Sequence, residues 1–329
     1  MYRVTILGYE QAYASAITGA LELFALAGVT WQRMHGIPPE PKFHVEIATL
    51  AGLPVRCINN LTLQAHVAIE DVKKTDLLLI PTIGGRVEDV LQQQSTILPH
   101  ILRLYHAGAD VASNCSGAFF LAEAGLLDGL TATTHWGYAD LFRRRFPLVR
   151  LQEDKMITQN DRLFCSGGGM AWFDLTLLLI ERYCGHDVAA QTAKAHVIDP
   201  VRANQAAYGN IRSKKHHHDK DITVVQEWIE EHYSSSLSLE QLATLINTSP
   251  RTLIRRFKQA TGTTPSRYVQ MVRIEAAKKF LETTSLSTEQ IINQVGYEDM
   301  SSFCRLFKNR IGLSPVQYRH NFRRSVINP

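Results

Sequence analysis

Residues 113–117, with the sequence SNCSG, place a cysteine thiol between a strand-like run and a helical pattern. The run ends just before Cys115, and the helical pattern starts at Gly117. This strand-to-helix turn predicts a nucleophile elbow with Cys115 in place of serine, and Gly117 permits the sharp turn. Backbone N–H groups at the start of the helix favour an anionic ligand group and lower the pKa of the thiol. A thiol in this setting acts as a nucleophile, as a redox sensor or as a small side chain in a ligand pocket.

The elements that hold this thiol alternate between strands and helices. Strand-like runs cover residues 4–7, 43–48, 76–80 and 110–112, and helical patterns cover residues 17–26, 87–105, 117–124 and 170–183. The alternation predicts an α/β domain with a parallel sheet covered by helices over residues 1–208. Ligands bind such sheets beyond the carboxyl ends of the strands, so loops 80–85 and 113–117 are expected to meet at one pocket. The predicted lining from these loops is Gly84, Gly85, Cys115 and Ser116.

Two segments near the C-terminus repeat each other at an offset of 50 residues. The matched pairs are Arg255 with Arg305, Phe257 with Phe307, Lys258 with Lys308, Gly262 with Gly312, Pro265 with Pro315, and Tyr268 with Tyr318. Each copy has an apolar pair four residues apart, which places both side chains on one buried face of a helix. A short amphipathic helix precedes each copy, at residues 239–246 and 289–295. Each copy is therefore predicted to be a helix-turn-helix unit.

The second helix of the first unit carries a basic face. Opposite the buried stripe lie Arg251, Thr252, Arg255 and Arg256. An α-helix fits the major groove of DNA, where arginine makes bidentate contacts with guanine. A single basic helix is commonly just a solvated face, but two units at a fixed spacing can meet successive major grooves on one side of a duplex. The repeat therefore predicts an all-α DNA-binding domain with two helix-turn-helix units over residues 222–329.

Charge is divided unevenly along the chain. Residues 1–209 contain 17 Lys and Arg against 20 Asp and Glu, whereas residues 210–329 contain 18 against 11. The positive surplus favours a nucleic-acid partner for the C-terminal part. Residues 209–221 have no apolar period and predict a solvated linker. Its three adjacent histidines, at 216–218, cannot converge on one metal ion without further ligands.

The composition excludes several classes of protein. Apolar residues make up 45% and charged residues 20% of the chain, as in ordinary globular proteins. No apolar run approaches the roughly 18–20 residues of a membrane span, and the first residues resemble a strand rather than a signal peptide, so we expect a cytoplasmic protein without membrane contact. Five cysteines without a Cys-x-x-Cys pair favour reduced thiols over disulfides or a zinc ribbon. No metal and no cofactor are predicted.

Residues 238–322 resemble the DNA-binding domain of AraC/XylS-family transcription regulators. The resemblance rests on VGYED at 295–299, SFCRLFK at 302–308 and GLSP at 312–315. It implies two helix-turn-helix units joined by a long helix over residues 268–281. The base-facing side chains that it implies are Arg251, Thr252 and Arg255 in the first unit, and Met300, Ser301, Cys304 and Arg305 in the second.

Residues 1–206 resemble the ThiJ/PfpI, class I glutamine amidotransferase-like superfamily, in the branch fused to AraC-type domains. The resemblance rests on NCSGA at 114–118, AGLLDG at 124–129 and TTHW at 133–136, and it extends to Arg202 and Gln205. It implies a flavodoxin-like fold. In enzymes of this superfamily the cysteine works with a histidine, here His135, and with an acidic residue. Ala16 stands where the acid is expected, so the implied effector pocket around Ala16, Cys115 and His135 lacks it.

These observations predict a sequence-specific transcription regulator whose first domain senses a small metabolite and which is not an enzyme. The resemblance implies promoter DNA as a partner, an effector derived from an amino acid or amine, and a homodimer formed through residues 1–209. RNA polymerase is a further partner if the protein is an activator. The alternative is an amidase, hydratase or glyoxalase that uses Cys115 and His135, and a third possibility is a redox sensor at Cys115. Trp136 and Trp172 either stack on a ligand or belong to the core.

Overall fold

The two halves of the chain fold as separate compact units. The computed structural model describes residues 1–199, 204–209 and 217–323, and its units are Met1–Gln205 and Ala206–Pro329. The sequence placed the end of the first domain at residue 208. The structure ends the first unit at Gln205, because the Gln205 side chain is buried in that unit whereas Ala207 is buried in a hydrophobic cluster of the second. Arg202 lies outside the described residues.

Strands of the first unit form one main sheet. The strands are β1 (Tyr2–Leu7), β2 (Phe43–Thr49), β3 (Val55–Arg56), β4 (Thr62–Leu63), β5 (Val67–Ala68), β6 (Leu77–Ile80), β7 (Asp110–Asn114), β8 (Thr131–Ala132), β9 (Arg150–Leu151), β10 (Ile157–Asn160) and β11 (Leu163–Ser166). In the described residues the main sheet has seven strands in the order β10-β11-β7-β6-β1-β2-β5. Two separate pairs of strands, β3 with β4 and β8 with β9, lie outside this sheet.

The sheet is mostly parallel, as predicted, but it is mixed at one edge. Neighbouring strands run parallel except for β10 and β11, which are antiparallel. A two-residue turn, Asp161 and Arg162, joins these two strands. A parallel pair needs a crossover of a dozen or more residues, so a turn this short permits only antiparallel pairing.

Helices cover the sheet of the first unit. They are α1 (Ala14–Leu26), α2 (Thr30–Met34), α3 (Val87–Gln93), α4 (Leu98–His106), α5 (Ala118–Glu123), α6 (Ala139–Arg145), α7 (Trp172–Cys184) and α8 (His186–Ala195). Strand β6 is buried along its whole length, as expected for a strand with helices on both faces. The single helix predicted over residues 87–105 is wrong. The structure has α3 and α4 there, because Pro99 lacks an N–H and is accommodated only at the start of a new helix.

The second unit is all-helical in its described residues. Its helices are α9 (Lys220–His232), α10 (Leu239–Thr244), α11 (Pro250–Thr261), α12 (Pro265–Thr283), α13 (Thr288–Gln294), α14 (Met300–Ile311) and α15 (Pro315–Phe322). Helices α10 and α11 form the first helix-turn-helix unit, α13 and α14 form the second, and α12 links them. The α/β plus all-α fold class predicted from the sequence is confirmed.

The internal repeat is visible in the core and in the helix ends. Leu253 and Phe257 of α11 are buried, and so are Phe303 and Phe307 of α14. The caps that begin these helices are Ser249 and Asp299, and the left-handed residues that end them are Gly262 and Gly312, with φ of 71° and 81°. A side chain at either glycine would be strained, so both helices end at the same point of the repeat.

The C-terminal end of the predicted linker is structured. Helix α9 begins at Lys220, and the Asp219 carboxylate accepts a hydrogen bond from the backbone N–H of Ile222 as its cap. His217 is only partly exposed and its Nε2 lies 2.8 Å from Oε1 of Gln226. The linker predicted over residues 209–221 therefore overlaps α9 at residues 220 and 221, because an N-cap aspartate starts the helix there. Residues 210–216, with His216, lie outside the described residues.

Of the helices in the described ranges, none combines the length and apolar character needed to cross a bilayer. The same ranges contain no group of three or more His, Cys, Asp and Glu side chains arranged to hold a metal ion.

Candidate functional site

A cavity of about 450 Å³ opens at the carboxyl ends of the central strands. Its lining consists of Tyr13, Ser15, Ala16, Thr82, Ile83, Cys115, His135, Gly137, Tyr138, Gly169, Met170 and Trp172. The loops after β6 and β7 both contribute, as the parallel sheet requires. The size suits a small metabolite.

Cys115 follows β7 directly and has a left-handed backbone, with φ of 57°. This conformation is uncommon for a residue with a side chain and is the strained turn of a nucleophile elbow. The sequence assigned the sharp turn to Gly117, which instead has an ordinary helical φ of −58°. Gly117 is needed for a different reason. A Cβ there would lie 2.6 Å from the carbonyl oxygen of Pro81, so only glycine lets α5 pack against the loop after β6.

The thiol of Cys115 is buried and its pKa is raised. Burial, which disfavours the thiolate, is the largest cause, and it outweighs hydrogen bonds from the backbone N–H groups of Gly169 and Ser116. The expectation of a lowered thiol pKa is therefore wrong. The helix start does supply N–H donors, but the loss of water around the sulfur dominates.

His135 is held in a tautomer that does not suit a general base. Its Nδ1 accepts a hydrogen bond of 2.9 Å from the backbone N–H of Gly137, so in the neutral ring the proton is on Nε2. Burial lowers the pKa of the imidazole, which keeps it neutral near pH 7. None of the polar contacts that His135 or Cys115 makes within the described residues joins one side chain to the other.

The pocket has no acidic side chain among its described lining residues. Ala16 lies in the lining on α1, at the position where the superfamily resemblance placed an acid. The one acid nearby on α1, Glu22, lines a separate cavity with Gly19 and Phe173. A carboxylate that would orient His135 is thus missing from this lining, and losing such a partner costs orders of magnitude in rate.

Three predicted pocket residues line the cavity and three do not. Ala16, Cys115 and His135 are in the lining. The fully buried Ser116 instead hydrogen-bonds to both the N–H and the C=O of Ile83, each at 3.0 Å, and so fixes one loop to the other. Gly84 and Gly85 lie against Gln11. A Cβ on Gly84 would come within 2.7 Å of the Gln11 carbonyl oxygen, so these glycines serve packing rather than the cavity.

Sequence reasoning missed the aromatic part of the lining. Tyr13 and Tyr138 carried no motif signal, and Trp172 was left open between ligand and core. The structure places Trp172 in the lining, 5% exposed, and its Nε1 has no hydrogen-bond partner among the described residues. Trp136, left open in the same way, does not line the cavity. One signal was available, since the glycines at 167–169 follow β11 at the same edge of the sheet as Cys115, and Gly169 lines the cavity.

In the second unit, most predicted base-facing side chains are exposed. Arg251 and Arg255 on α11 are exposed, and Thr252 is partly exposed. On α14, Met300, Ser301 and Arg305 are exposed. The arginines do not point into the core.

Arg256 and Cys304 depart from the predicted arrangement. Arg256 forms ion pairs of 2.7 Å with Asp219 and 2.9 Å with Asp221, so it joins α11 to the start of α9 instead of facing outward. Its equivalent in the repeat is Leu306, which packs against the core of the second unit. Cys304 is only partly exposed and packs at the edge of the same cluster. The exposed faces of α11 and α14 therefore contain fewer of the predicted base-facing side chains than the sequence indicated.

The fold and the two exposed helix faces define a DNA-binding protein with a pocket-bearing α/β domain. Comparison with known proteins agrees. Residues 27–182 match the DJ-1/PfpI family, and residues 242–321 match a helix-turn-helix domain family. The transcriptional regulator CdhR of Pseudomonas aeruginosa is 29% identical over 84% of this chain and 83% of its own length. The transcriptional regulator GlxA of Rhizobium meliloti is 27% identical over 94% of this chain and 91% of its own.

A solved structure supports the fold of the first unit. A candidate transcriptional regulator from Vibrio parahaemolyticus superposes with a TM-score of 0.51 at 22% identity, covering 59% of this chain and 97% of that one. The chain has the domain arrangement of AraC-type helix-turn-helix regulators with an N-terminal DJ-1/PfpI domain, like CdhR and GlxA. It is a DNA-binding transcription regulator with a DJ-1/PfpI-like sensor domain.

Proposed function

We propose that this regulator controls transcription in response to a small polar metabolite, which binds the pocket around Cys115 and His135 without being converted. The observation that carries the proposal is a cavity of about 450 Å³ that retains the cysteine and histidine of the enzymes but has alanine in place of their acid.

The lining favours a ligand derived from an amino acid or an amine. Aromatic faces come from Tyr13, Tyr138 and Trp172, and hydroxyl groups from Ser15 and Thr82. The described lining contains no lysine or arginine, so it would not repel a cationic ammonium group, and aromatic rings attract one. Because Nε1 of Trp172 has no partner in the described part of the chain, we expect it to donate to a polar group of the ligand.

A screen of ligands against the full-length chain tests this proposal. Amino acids and amines are added singly, and the midpoint of thermal unfolding is measured. A bound ligand at 100 times its Kd stabilises the native state by about 2.7 kcal/mol. The variant Ala16→Leu partly fills the cavity and should lose the shift, whereas Leu148→Ala, at an exposed position away from the lining, should keep it. A ligand that stabilises both variants equally binds elsewhere.

We also propose which side chains read the promoter. Arg251, Thr252 and Arg255 of α11 read bases in one major groove, and Met300, Ser301 and Arg305 of α14 read bases in the next. The support is their exposure at corresponding ends of two repeated helices. Binding of the chain to its own promoter fragment should weaken steeply as salt is raised, because phosphate contacts release counterions. A binding constant that is independent of salt and of sequence would contradict this assignment.

The assembly that we propose is a homodimer formed through the first unit. The segment from residue 53 to the start of β4 exposes three large apolar side chains, with Leu53 62%, Ile58 42% and Leu61 47% accessible. Several large exposed apolar side chains within one short segment favour an interaction site. Sedimentation equilibrium should give a dimer for the wild type and a weaker dimer for Leu53→Ser/Leu61→Ser. A monomeric wild type would refute the assembly.

A second candidate function is retained because of one observation. The left-handed backbone at Cys115 is the turn that exposes nucleophiles in related hydrolytic folds. Turnover of amides, nitriles and 2-oxoaldehydes by the wild type and by Cys115→Ser distinguishes the candidates. Equal background rates eliminate an enzyme, whereas turnover that is lost in Cys115→Ser establishes one.

A further inference from the structure

The side chain of Gln205 joins two walls of the pocket from behind. Its Oε1 accepts a hydrogen bond of 2.9 Å from the backbone N–H of Gly168, and its Nε2 lies 2.7 Å from the carbonyl oxygen of Thr134 and 2.8 Å from that of Glu153. A primary amide has two N–H donors, so these two close acceptors use both of them. Gln205 is 2% exposed. The carboxamide is therefore a fully bonded cross-link inside the first unit.

Two of the three bonded segments carry lining residues of the pocket. Thr134 precedes His135, and Gly168 precedes Gly169 and Met170. The two segments also touch, since a Cβ on Gly168 would lie 2.1 Å from Cδ2 of His135. Thr134 in addition donates from its Oγ1 to the carbonyl oxygen of Cys115 at 2.8 Å. A ligand that moves either wall moves a bonding partner of Gln205.

Gln205 is also the last residue of the first unit. Two positions further along the chain, Ala207 is 6% exposed and belongs to a hydrophobic cluster of the second unit. Within that unit the Tyr208 ring lies 5.5 Å from the Phe322 ring, and the carbonyl oxygen of Gly209 accepts a 2.6 Å hydrogen bond from Nζ of Lys278. Only Ala206 separates the cross-link from a segment anchored in the DNA-binding unit.

We infer that Gln205 is the positioning residue that couples the ligand pocket to DNA binding. The inference rests on the proposed sensor function of the pocket. Hydrogen bonds have donor–acceptor distances of roughly 2.7–3.2 Å. A shift of about 1 Å in either pocket wall therefore breaks one of the bonds to Gln205 and changes the position of its side chain. The change passes along one residue of backbone to the anchored segment. Coupling is reciprocal, so DNA bound to the second unit must alter the pocket walls to the same extent in free energy.

Reciprocity allows a test without knowledge of the effector. A duplex that binds tightly is selected from a random pool, and hydrogen exchange of the full-length chain is measured by mass spectrometry with and without it. The readouts are the peptides that cover residues 133–138 and 167–172, together with duplex affinity and the thermal melt. In the wild type, we expect the duplex to change exchange in these peptides about fivefold or more, the lower end of typical coupling.

Two variants and one control isolate Gln205. Gln205→Met keeps the side-chain length but removes the donors and the acceptor, so it should lose the duplex-dependent change while it still binds the duplex. An insertion of Gly-Ser-Gly-Ser between Gln205 and Ala206 keeps the cross-link but lengthens the flexible connection to the second unit. This variant should also lose the duplex-dependent change in hydrogen exchange. Asn160→Leu is the matched control, because the Asn160 amide cross-links β10 to Thr131 of β8 and neither residue lines the pocket. Asn160→Leu should keep the duplex-dependent change in hydrogen exchange.

The outcomes separate the inference from the proposed function. No change in the wild-type pocket peptides overturns the coupling, and an undiminished change in Gln205→Met overturns the role of Gln205. If Gln205→Met fails to fold, the insertion variant decides, and an undiminished change there overturns the inference. If the wild-type pocket peptides change with the duplex but no compound in the thermal screen stabilises the wild type, the coupling of the pocket walls to DNA binding stands and the proposed sensor function fails. If no duplex is selected at all, the promoter-reading proposal fails instead.

Discussion

Arg256 makes a bidentate contact with Asp219, with Nε 3.1 Å from Oδ2 and Nη2 2.7 Å from Oδ1. The contact joins α11, the basic helix of the first helix-turn-helix unit, to the N-cap of α9. It shows that one basic residue of this helix forms ion pairs within its own unit. Two-point arginine–carboxylate contacts are stronger and more directional than single ones.

Arg256→Ala should lower the free energy of unfolding of the second unit by about 1 kcal/mol at pH 7, since the pair is partly exposed and screened by solvent. Desolvation alone would raise the pKa of Asp219, but hydrogen bonds from Arg256 and from the N–H of Ile222 outweigh it and lower that pKa below its usual value. A lowered carboxyl pKa gives stability above the unfolded pKa, and this stability is lost as pH falls through the folded pKa.

Urea denaturation of wild type and Arg256→Ala at pH 7 and near pH 3 measures both effects. The difference between the two proteins should shrink at the lower pH. A difference that grows on acidification would show that Arg256 stabilises the unit in another way.

Arg255→Ala should cost about 1–3 kcal/mol in promoter binding and relax the preference for one base, if Arg255 reads guanine. Lys258→Ala, on the same helix, should weaken all sequences alike and reduce the salt slope by about 1, as expected for a phosphate contact. Binding measured on a set of single-base promoter variants at two salt concentrations distinguishes the two. Arg256→Ala is the internal control, and a loss of base preference in that variant would contradict the placement of Arg256.

Cys115 should react slowly with iodoacetamide near pH 7, because burial raises the pKa of its thiol above the usual value of 9.0. The rate should keep rising with pH beyond 9, since only the thiolate attacks. Mass spectrometry of the Cys115 peptide over a pH series separates this site from the partly exposed Cys184 and Cys304. A rate that reaches a plateau near pH 7 would instead indicate an activated nucleophile and support the enzyme.

Tyr268 and Tyr318 should contribute equally to stability, because the repeat gives each the same role. The Tyr268 hydroxyl donates to Glu230 at 2.7 Å and the Tyr318 hydroxyl donates to Glu282 at 2.6 Å. Replacement of either by phenylalanine removes the hydrogen bond from the hydroxyl to the carboxylate, at a cost of about 1.5–3 kcal/mol in the free energy of unfolding. The two rings belong to different hydrophobic clusters, so the costs should add in the double variant to within about 0.5 kcal/mol.

These two tyrosines also give a pH dependence. Burial, and then the hydrogen bond to the carboxylate, raise the pKa of each hydroxyl. A raised pKa gives stability that is present below the unfolded pKa, about 10 for tyrosine, and that is lost as pH rises through the folded pKa. Chemical denaturation between pH 8 and pH 11 should therefore show a steeper loss for the wild type than for either phenylalanine variant. Unequal effects at the two sites would mean that the repeat does not extend to these contacts.

The order of elements and the kind of each domain could be predicted from the sequence. Apolar runs identified β1 and β6, because strands buried on both faces are mostly apolar, and Val111 with Ala112 indicated β7. The 50-residue offset identified both helix-turn-helix units, since Leu253 and Phe257 recur as Phe303 and Phe307. The thiol at the strand-to-helix turn and the alanine in place of an acid could also be predicted from the sequence, because each depends on the residue type at one position.

Only the tertiary structure decided the burial and the contact partners of these residues. The pKa of Cys115 depends on how much water reaches the sulfur, and this depends on burial by segments far away in the chain, including those of Thr82 and Gly169. The pocket role of Trp172 and Tyr138 and the cross-link by Gln205 arise from segments far apart in the chain. Arg256 shares the residue type and helix of Arg251 and Arg255, yet its partners Asp219 and Asp221 lie on another element. Local sequence sets what a side chain can do, and long-range packing sets which partner it meets.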